Sequence, residues 1–250
     1  MNIWTAILIS AVAGSFFNML IYRLNNGVSL FKPRHSICPS CRERLHWFEL
    51  IPVFSYLRQR GVCNSCGVKI PRRYLYVELA FILTAVLLVA VNNYFVRDIP
   101  LGWLQLILSW FIWGIIFSDL EYQEVPYFFS GGFLWTLFLY RGFQWLVINI
   151  VIWLALFLLI KALEKFYYKK PAFGGADFLL LFGLALYYDL PGYVLLLFLA
   201  FFLGALISLT LLAFKRVNKN SVIPFAPFIM AAFILVEYGV RALAYRIFYA

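Results

Sequence analysis

The feature that most constrains this chain is a series of long apolar runs with only short polar interruptions. A helix that crosses the hydrocarbon core of a bilayer needs about 20 mostly apolar residues. A β-barrel is excluded because the runs lack the two-residue alternation of lipid-facing strands. We therefore predict about eight transmembrane helices, at residues 1–22, 74–96, 101–118, 127–143, 144–163, 177–189, 191–214 and 224–247.

The amino-acid composition agrees with a protein dissolved in lipid. Hydrophobic residues make up 64% of the 250 residues, and charged residues only 13%. In water-soluble domains about a quarter of the residues are charged. One aqueous core of this size cannot bury so much apolar surface. The expected fold class is an all-α polytopic membrane protein.

The distribution of basic residues predicts the orientation. With eight spans, the segments on one side of the membrane carry 17 of the 21 Lys and Arg residues. Because basic loops stay in the cytoplasm, we expect a bacterial inner-membrane protein with both termini outside. The net charge of +10 then reflects topology and attraction to the lipid bilayer. No basic soluble domain is left to bind nucleic acid, so we expect no nucleic-acid partner.

One polar segment, 24–73, separates the first predicted helix (1–23) from the remaining helical domain (74–250). It contains two CxxC pairs, separated by the 21 residues 42–62. Such pairs are typical of a zinc-ribbon-like site, and Gly67 suits the turn after the second pair. Disulfides and a redox CxxC are the alternatives, but a cytoplasmic loop is reducing. The expected ligands of a structural Zn are Cys38, Cys41, Cys63 and Cys66.

Two aspartates lie at the ends of predicted membrane helices, where carboxylates are costly and usually functional. Asp119 ends the third run and Asp177 opens the sixth. If these helices pack together, the two carboxylates share one proton and can activate a water molecule against a peptide carbonyl. The alternative is that both are helix caps, Asp177 above all.

Six stretches of the chain resemble, in the same order, the signatures of the prepilin peptidases, which are type IV leader peptidases. The most specific are the two CxxC pairs, Asp119 with Pro126 seven residues later, and the GGAD sequence at 174–177 in place of the GxGD motif. The full set covers residues 14–24, 38–66, 70–78, 119–126, 174–177 and 223–228.

This resemblance implies an intramembrane aspartic endopeptidase with Asp119 and Asp177 as its catalytic pair. It implies prepilin or pseudopilin substrates of type IV pili and type II secretion, whose basic leaders are removed at the cytoplasmic membrane face. Many members also methylate the new N-terminus from S-adenosylmethionine. The candidate substrate- or cofactor-binding residues are Glu78, Arg72, Arg73, Gly174 and Gly175.

Three positions depart from the family pattern: Ala176 replaces the second glycine, Leu179 a common lysine, and Tyr127 a common acid or amide. The alanine is tolerable only if its φ angle is negative. These departures leave two other hypotheses open. One is a non-catalytic, zinc-bearing scaffold that binds pilins; the other is a transporter that relays protons through its carboxylates.

Overall fold

The computed structural model describes residues 2–32, 35–95, 102–141, 147–168, 174–218 and 221–240. Each of the eight predicted runs contains a helix. The helices, including a short one inside the polar segment, are α1 (Ile3–Asn25), α2 (Phe54–Arg58), α3 (Arg73–Phe95), α4 (Gly102–Tyr122), α5 (Tyr127–Arg141), α6 (Val147–Leu163), α7 (Gly175–Tyr187), α8 (Leu190–Ala213) and α9 (Ala226–Ile234). Short π-helical segments extend α6 over Glu164–Tyr168 and α9 over Leu235–Val240.

Four helices in the described part of the chain are long and apolar enough to cross a bilayer. They are Ile3–Asn25, Arg73–Ala90, Gly102–Tyr122 and Leu190–Ala213. The all-helical membrane class is therefore confirmed, while eight crossings stay a prediction. The described residues form no extended strand; two isolated antiparallel bridges, Ile37 with Arg44 and Val62 with Lys69, are their only β-pairing.

The chain divides into two compact units, Met1–Phe117 and Ser118–Ala250, and the division falls within α4. In the first unit, α1 packs along α3, and Phe17 and Phe81 meet with ring centroids 5.2 Å apart. Two indole N–H groups of α4 bond to these helices, from Trp110 to Ser10 and from Trp113 to Thr84. Such hydrogen bonds fix helix contacts where lipid offers no competing partner.

In the second unit, α7 packs against α5, α6 and α9. It lies close to α5 because Gly183 has no side chain: a Cβ atom there would overlap the side chain of Leu134. The indole N–H of Trp153 in α6 donates to the carbonyl of Phe178 at 3.1 Å. The helix that begins with the GGAD sequence is thus the central helix of this unit.

Candidate active site

Asp119 lies in the last turn of α4, which ends four residues later than the predicted third run. The helix stops at Gln123, whose left-handed φ of 55° turns the chain. The Gln123 N–H donates to the Asp119 carbonyl at 2.9 Å, as in an αL helix end. Pro126 follows, and a new helix begins at Tyr127. The helix end therefore fixes the position of the Asp119 backbone.

The Asp119 side chain is only 7% exposed and contacts the start of α9. Its Oδ2 accepts the backbone N–H of Ala226, the first residue of α9, at 3.0 Å. The Gln123 side-chain amide bonds to the carbonyl of Val222 at 3.2 Å in the same segment. The sequence before α9 is thereby attached to the end of α4 at two points.

Asp177 is the third residue of α7 and is 9% exposed. Its Oδ2 accepts the backbone N–H of Gly174 at 3.2 Å, so the side chain reaches back to cap its own helix. A carboxylate in the first turn is also stabilised by the positive end of the helix dipole. Gly174, and not the predicted Asp177, is the N-cap residue; Asp177 contributes to the cap from the first turn of the helix.

Helices α7 and α9 pack together and are joined at one end by hydrogen bonds from Tyr187 and Tyr188 to Glu237, so their N-termini lie at the same end of the unit. Asp177 lies in the first turn of α7, and Asp119 bonds to the first residue of α9. The positive ends of these two helices favour negative charge here, whereas burial, the negative end of α4 and the mutual repulsion of two carboxylates oppose a second charge. The arrangement suits a pair that holds one negative charge and one proton.

Gly174 and Gly175 leave open space beside this pair. Among the described residues, a Cβ on Gly174 would meet the Asp177 carboxyl group alone, with Oδ2 3.4 Å away. A Cβ on Gly175 would meet, in the same part of the chain, just the Tyr127 hydroxyl, at 3.8 Å. An extended peptide backbone can approach Asp177 closely where no side chain intervenes. Tyr127, a departure from the family pattern, is exposed and borders this space.

Ala176, the other departure nearest the pair, lies inside α7. It is absent from the positive-φ residues of the described chain, so its backbone is ordinary right-handed helix. The extra methyl group therefore imposes no backbone strain, and alanine favours helix over glycine. Alanine is therefore tolerable at position 176, because the negative φ angle that it requires is present.

The four cysteines form a cluster in which all sulfur atoms lie within 4.8 Å of one another. They are free thiols, and the Sγ atoms of Cys38 and Cys66 are 3.9 Å apart. Tetrahedral zinc with Zn–S bonds of about 2.3 Å places sulfurs roughly 3.8 Å apart. The donor set therefore fits a closed, structural zinc site.

Each CxxC pair lies on the same kind of turn. The N–H of Cys38 bonds to the carbonyl of Glu43, and that of Cys63 to the carbonyl of Val68. Arg42 and Gly67 then occupy the same place with φ of 58° and 69°. Gly67 confirms the predicted need for positive φ, and the two turns present their thiols to one point.

The pKa values of two of these thiols depend on the groups around them. Backbone N–H groups of Cys66 and Ser65 donate to Cys63 and lower its pKa to about 7. At Cys41 the Glu43 N–H lowers the pKa, but desolvation and the neighbouring Cys38 and Cys66 raise it to about 12. Four crowded thiols do not all ionise alone, whereas a divalent metal displaces their protons.

Glu78, the acidic candidate for substrate or cofactor binding, lies in the first unit and is buried. Its Oε2 accepts the backbone N–H of Val53 at 2.6 Å. The guanidinium of Arg73 stacks on the Tyr74 ring at 4.6 Å. Glu78 thus links the zinc-bearing segment to α3, and a binding role for it, Arg72 or Arg73 stays a prediction.

Two family models match the chain in succession: the "Bacterial Peptidase A24 N-terminal domain" over residues 8–92, and the "Type IV leader peptidase family" over residues 106–209. The prepilin leader peptidase/N-methyltransferase of Aeromonas hydrophila is 30% identical, over 90% of this chain and 86% of the relative. This chain belongs to the type IV leader peptidase family. The predicted membership is confirmed.

Other relatives of this leader peptidase agree. The prepilin leader peptidase/N-methyltransferase of Neisseria gonorrhoeae is 29% identical, over 89% of this chain and 85% of the relative. That of Legionella pneumophila is 28% identical over 89% and 86%. No solved structure matches the chain.

Two partners of the candidate site were not foreseen in the sequence. The Ala226 N–H that binds Asp119 belongs to the recognised stretch 223–228, but a backbone donor has no sequence signature of its own. The position of the Tyr127 hydroxyl beside Gly175 depends on how α5 packs on α7. Pro227, which cannot donate its own N–H, was the available sign of a helix start there.

Proposed function

We propose that this leader peptidase is an aspartic endopeptidase that removes the basic leader from type IV prepilins or pseudopilins. The observation that carries the proposal is the pair of buried carboxylates, Asp119 and Asp177, at the N-termini of two packed helices. Family membership supplies the substrate class, since the relatives are named prepilin leader peptidases.

The proposed chemistry uses the single proton of the pair. The ionised aspartate removes a proton from a water molecule while the protonated one donates to the scissile carbonyl oxygen. Water adds to the carbonyl carbon and a tetrahedral intermediate forms. Collapse of this intermediate breaks the C–N bond: the proton taken from water passes to the leaving amine, and a hydroxyl of the intermediate returns its proton to the other aspartate as the carboxyl product forms. The pair ends with one proton, as it began.

The location of cleavage is part of the proposal. We place the reaction at the cytoplasmic face of the bacterial inner membrane, with the zinc-bearing segment in the cytoplasm and both termini outside. The supporting argument is the excess of Lys and Arg in the segments that adjoin the pair in an eight-span topology. At this boundary a leader emerges from the membrane next to its hydrophobic helix.

Methylation of the new N-terminus from S-adenosylmethionine is a second, less supported part of the proposal. It rests on the names of the relatives. The candidate residues for it remain Glu78, Arg72 and Arg73; the Glu78 Oε2 accepts the Val53 N–H. Mass spectrometry of the product's N-terminus separates processing from methylation.

The test co-expresses a prepilin with wild type, Asp119→Asn and Asp177→Asn, and follows leader removal on a gel. Asparagine keeps the size and the capping oxygen of aspartate but cannot act as the acid or base. We expect both variants to lose at least about a hundredfold in processing, the usual contribution of a positioned acid–base group.

Asp189→Asn is the matched control. Asp189 caps α8 through the Gly192 N–H at 3.2 Å, so the substitution alters a capping aspartate that is not part of the pair. It should process the prepilin as wild type does. Equal processing by all four proteins would refute the aspartic mechanism, and pilin binding without any processing would indicate the scaffold.

A further inference from the structure

The zinc-bearing segment, predicted as polar, exposes a group of large apolar side chains. They occur in the 3-10 turn Trp47–Leu50 and in α2. Trp47 is 76% exposed, Leu57 62% and Phe54 57%. We call this group the apolar surface; its members are Trp47, Leu50, Ile51, Phe54 and Leu57.

Two other aromatic side chains of this part of the segment, Phe48 and Tyr56, are half-buried and make contacts within it. Phe48 is stacked between His46, 5.3 Å away, and the guanidinium of Arg58, 5.1 Å away. The Tyr56 hydroxyl donates to the carbonyl of Ile70. The turn is further fixed by Glu49, which accepts from the His46 N–H and from the Asn64 amide. The apolar surface is therefore the outward face of a folded element.

A hydrogen bond sets the depth of this element relative to the membrane helices. The Val53 N–H, between Ile51 and Phe54, donates to Glu78 at 2.6 Å. Glu78 lies five residues into α3, a candidate membrane span that begins at Arg73. At a rise of 1.5 Å per residue, the contact is about 7.5 Å along that helix from its first residue. The turn between Ile51 and Phe54 thus reaches the level of a membrane helix.

The backbone at Val53 shows that this position is enforced. Its φ of 62° lies in the left-handed region, which is rare for a β-branched residue. Surrounding contacts must hold such a conformation, and the bond to Glu78 is one of them. A turn held against α3 in this way keeps the adjoining apolar residues at the membrane boundary.

The charge of the segment distinguishes between possible occupants of the apolar surface. Residues 24–73 contain nine Lys or Arg and only two acidic residues, Glu43 and Glu49. Anionic lipid headgroups are attracted to such a segment. The basic leader of a prepilin is repelled by it. Exposed Trp is also typical of the headgroup region of a bilayer.

We propose that the apolar surface inserts into the boundary between headgroups and acyl chains, and that anionic lipid is its ligand. The zinc-bearing segment is thereby held flat against the membrane from which its two flanking helices, α1 and α3, emerge. This proposal does not depend on the hydrolytic mechanism, and its test measures no peptidase activity.

The test uses the full-length protein in vesicles of phosphatidylcholine and phosphatidylglycerol, with bromine on the upper acyl chain as a quencher of tryptophan fluorescence. The chain has eight Trp residues, so the contribution of Trp47 is the difference between wild type and Trp47→Phe. We expect the fluorescence contribution of Trp47 to fall about twofold or more in brominated lipid, because interfacial side chains lie at the depth of the upper acyl chain.

A pair of variants checks that the apolar surface causes the insertion. Leu57→Glu adds a charge within the surface and should raise the Trp47 emission again, whereas Gln59→Glu adds the same charge to the end of α2 outside it. The zinc content of every variant shows that the segment remains folded, and this control keeps the result interpretable.

Three results would overturn the proposal. The first is a Trp47 contribution that bromine leaves unchanged. The second is equal quenching in vesicles of phosphatidylcholine alone, since anionic lipid would then be unnecessary. The third is relief of quenching by a peptide with a basic leader and an apolar helix, which would make the substrate the occupant.

Discussion

Asp119 and Asp177 each combine a structural and a chemical capacity in one side chain. Each uses Oδ2 to accept a backbone N–H at a helix start, from Ala226 and Gly174 respectively. Such a bond holds the carboxylate in one rotamer and stabilises its charge. The capping interpretation and the catalytic interpretation are therefore compatible, because the cap orients the group that the proposed chemistry needs.

The position of Ala176 in regular helix leads to a prediction about the departure from the GxGD motif. Ala176→Gly should leave the rate of leader removal within about twofold, because neither residue's backbone is strained there. The variant should also be less stable by about 0.5–1 kcal/mol, since glycine is the poorer helix former. Purified variants compared by peptidase turnover and thermal unfolding test both statements. A tenfold rise in turnover would show instead that the alanine limits activity.

The contacts of α7 with its neighbouring helices determine where Asp177 lies in the candidate site. Its first turn holds Asp177, and its middle contacts α5 where Gly183 faces Leu134. At its other end the hydroxyls of Tyr187 and Tyr188 both donate to the buried Glu237 at 3.2 Å. Glu237 lies in the π-helical extension of α9, so α7 and α9 are joined far from the aspartates. The i,i+4 spacing of Glu237 and Arg241 also predicts an ion pair, but Arg241 lies outside the described residues.

The close approach of α5 and α7 gives a prediction with an internal control. Gly183→Ala inserts a methyl group where the Leu134 side chain already lies, so that side chain or one of the two helices must move. Overpacking of this kind costs about 1–3 kcal/mol. Gly131→Ala, in α5, meets nothing within 4 Å and should be neutral or slightly stabilising. Only Gly183→Ala should lower the temperature of thermal unfolding and the rate of leader removal.

If Gly183→Ala and Gly131→Ala changed stability and activity equally, the cause would be the added methyl group in general and not its collision with Leu134. A destabilised Gly183→Ala with full activity would show that Asp177 tolerates movement of its helix. The proposed dependence of the site on the packing of α7 would then be wrong.

For the chain as a whole, the zinc-bearing segment and the carboxylate pair belong to different units. The cysteines lie in the unit Met1–Phe117 and both aspartates lie in Ser118–Ala250. The two matching family models cover residues 8–92 and 106–209, one mainly in each unit. The proposed metal site and the proposed site of peptide hydrolysis thus lie in separate parts of the sequence.

The four-cysteine cluster gives a prediction about the metal content of the protein. Purified protein should contain about one Zn per chain, and Cys38→Ser or Cys66→Ser should abolish it, because four thiolates complete a structural site. Ser40→Ala and Ser65→Ala, inside the same CxxC turns, should retain the metal. Elemental analysis measures the content, and proteolysis of the segment measures its folding. Metal-free wild type with reduced cysteines would contradict the assignment.

The sequence by itself determined the features that depend on residue type and local spacing. The apolar runs specify helices because lipid leaves the backbone no other partner, and two CxxC pairs specify one metal site because each turn orients two thiols. The positive φ of Gly67 follows from the same local reasoning, as does the unusual occurrence of two aspartates at the ends of apolar runs, where both are buried.

Only the tertiary structure decided which distant groups meet. Asp119 and Ala226 are 107 residues apart, and their contact arises from helix packing that no local pattern encodes. The same is true of Tyr127 beside Gly175, and of Val53, whose bond to Glu78 gives the apolar surface its depth. Backbone donors and side-chain exposure are properties of packed helices, and the order of residues along one helix does not contain them.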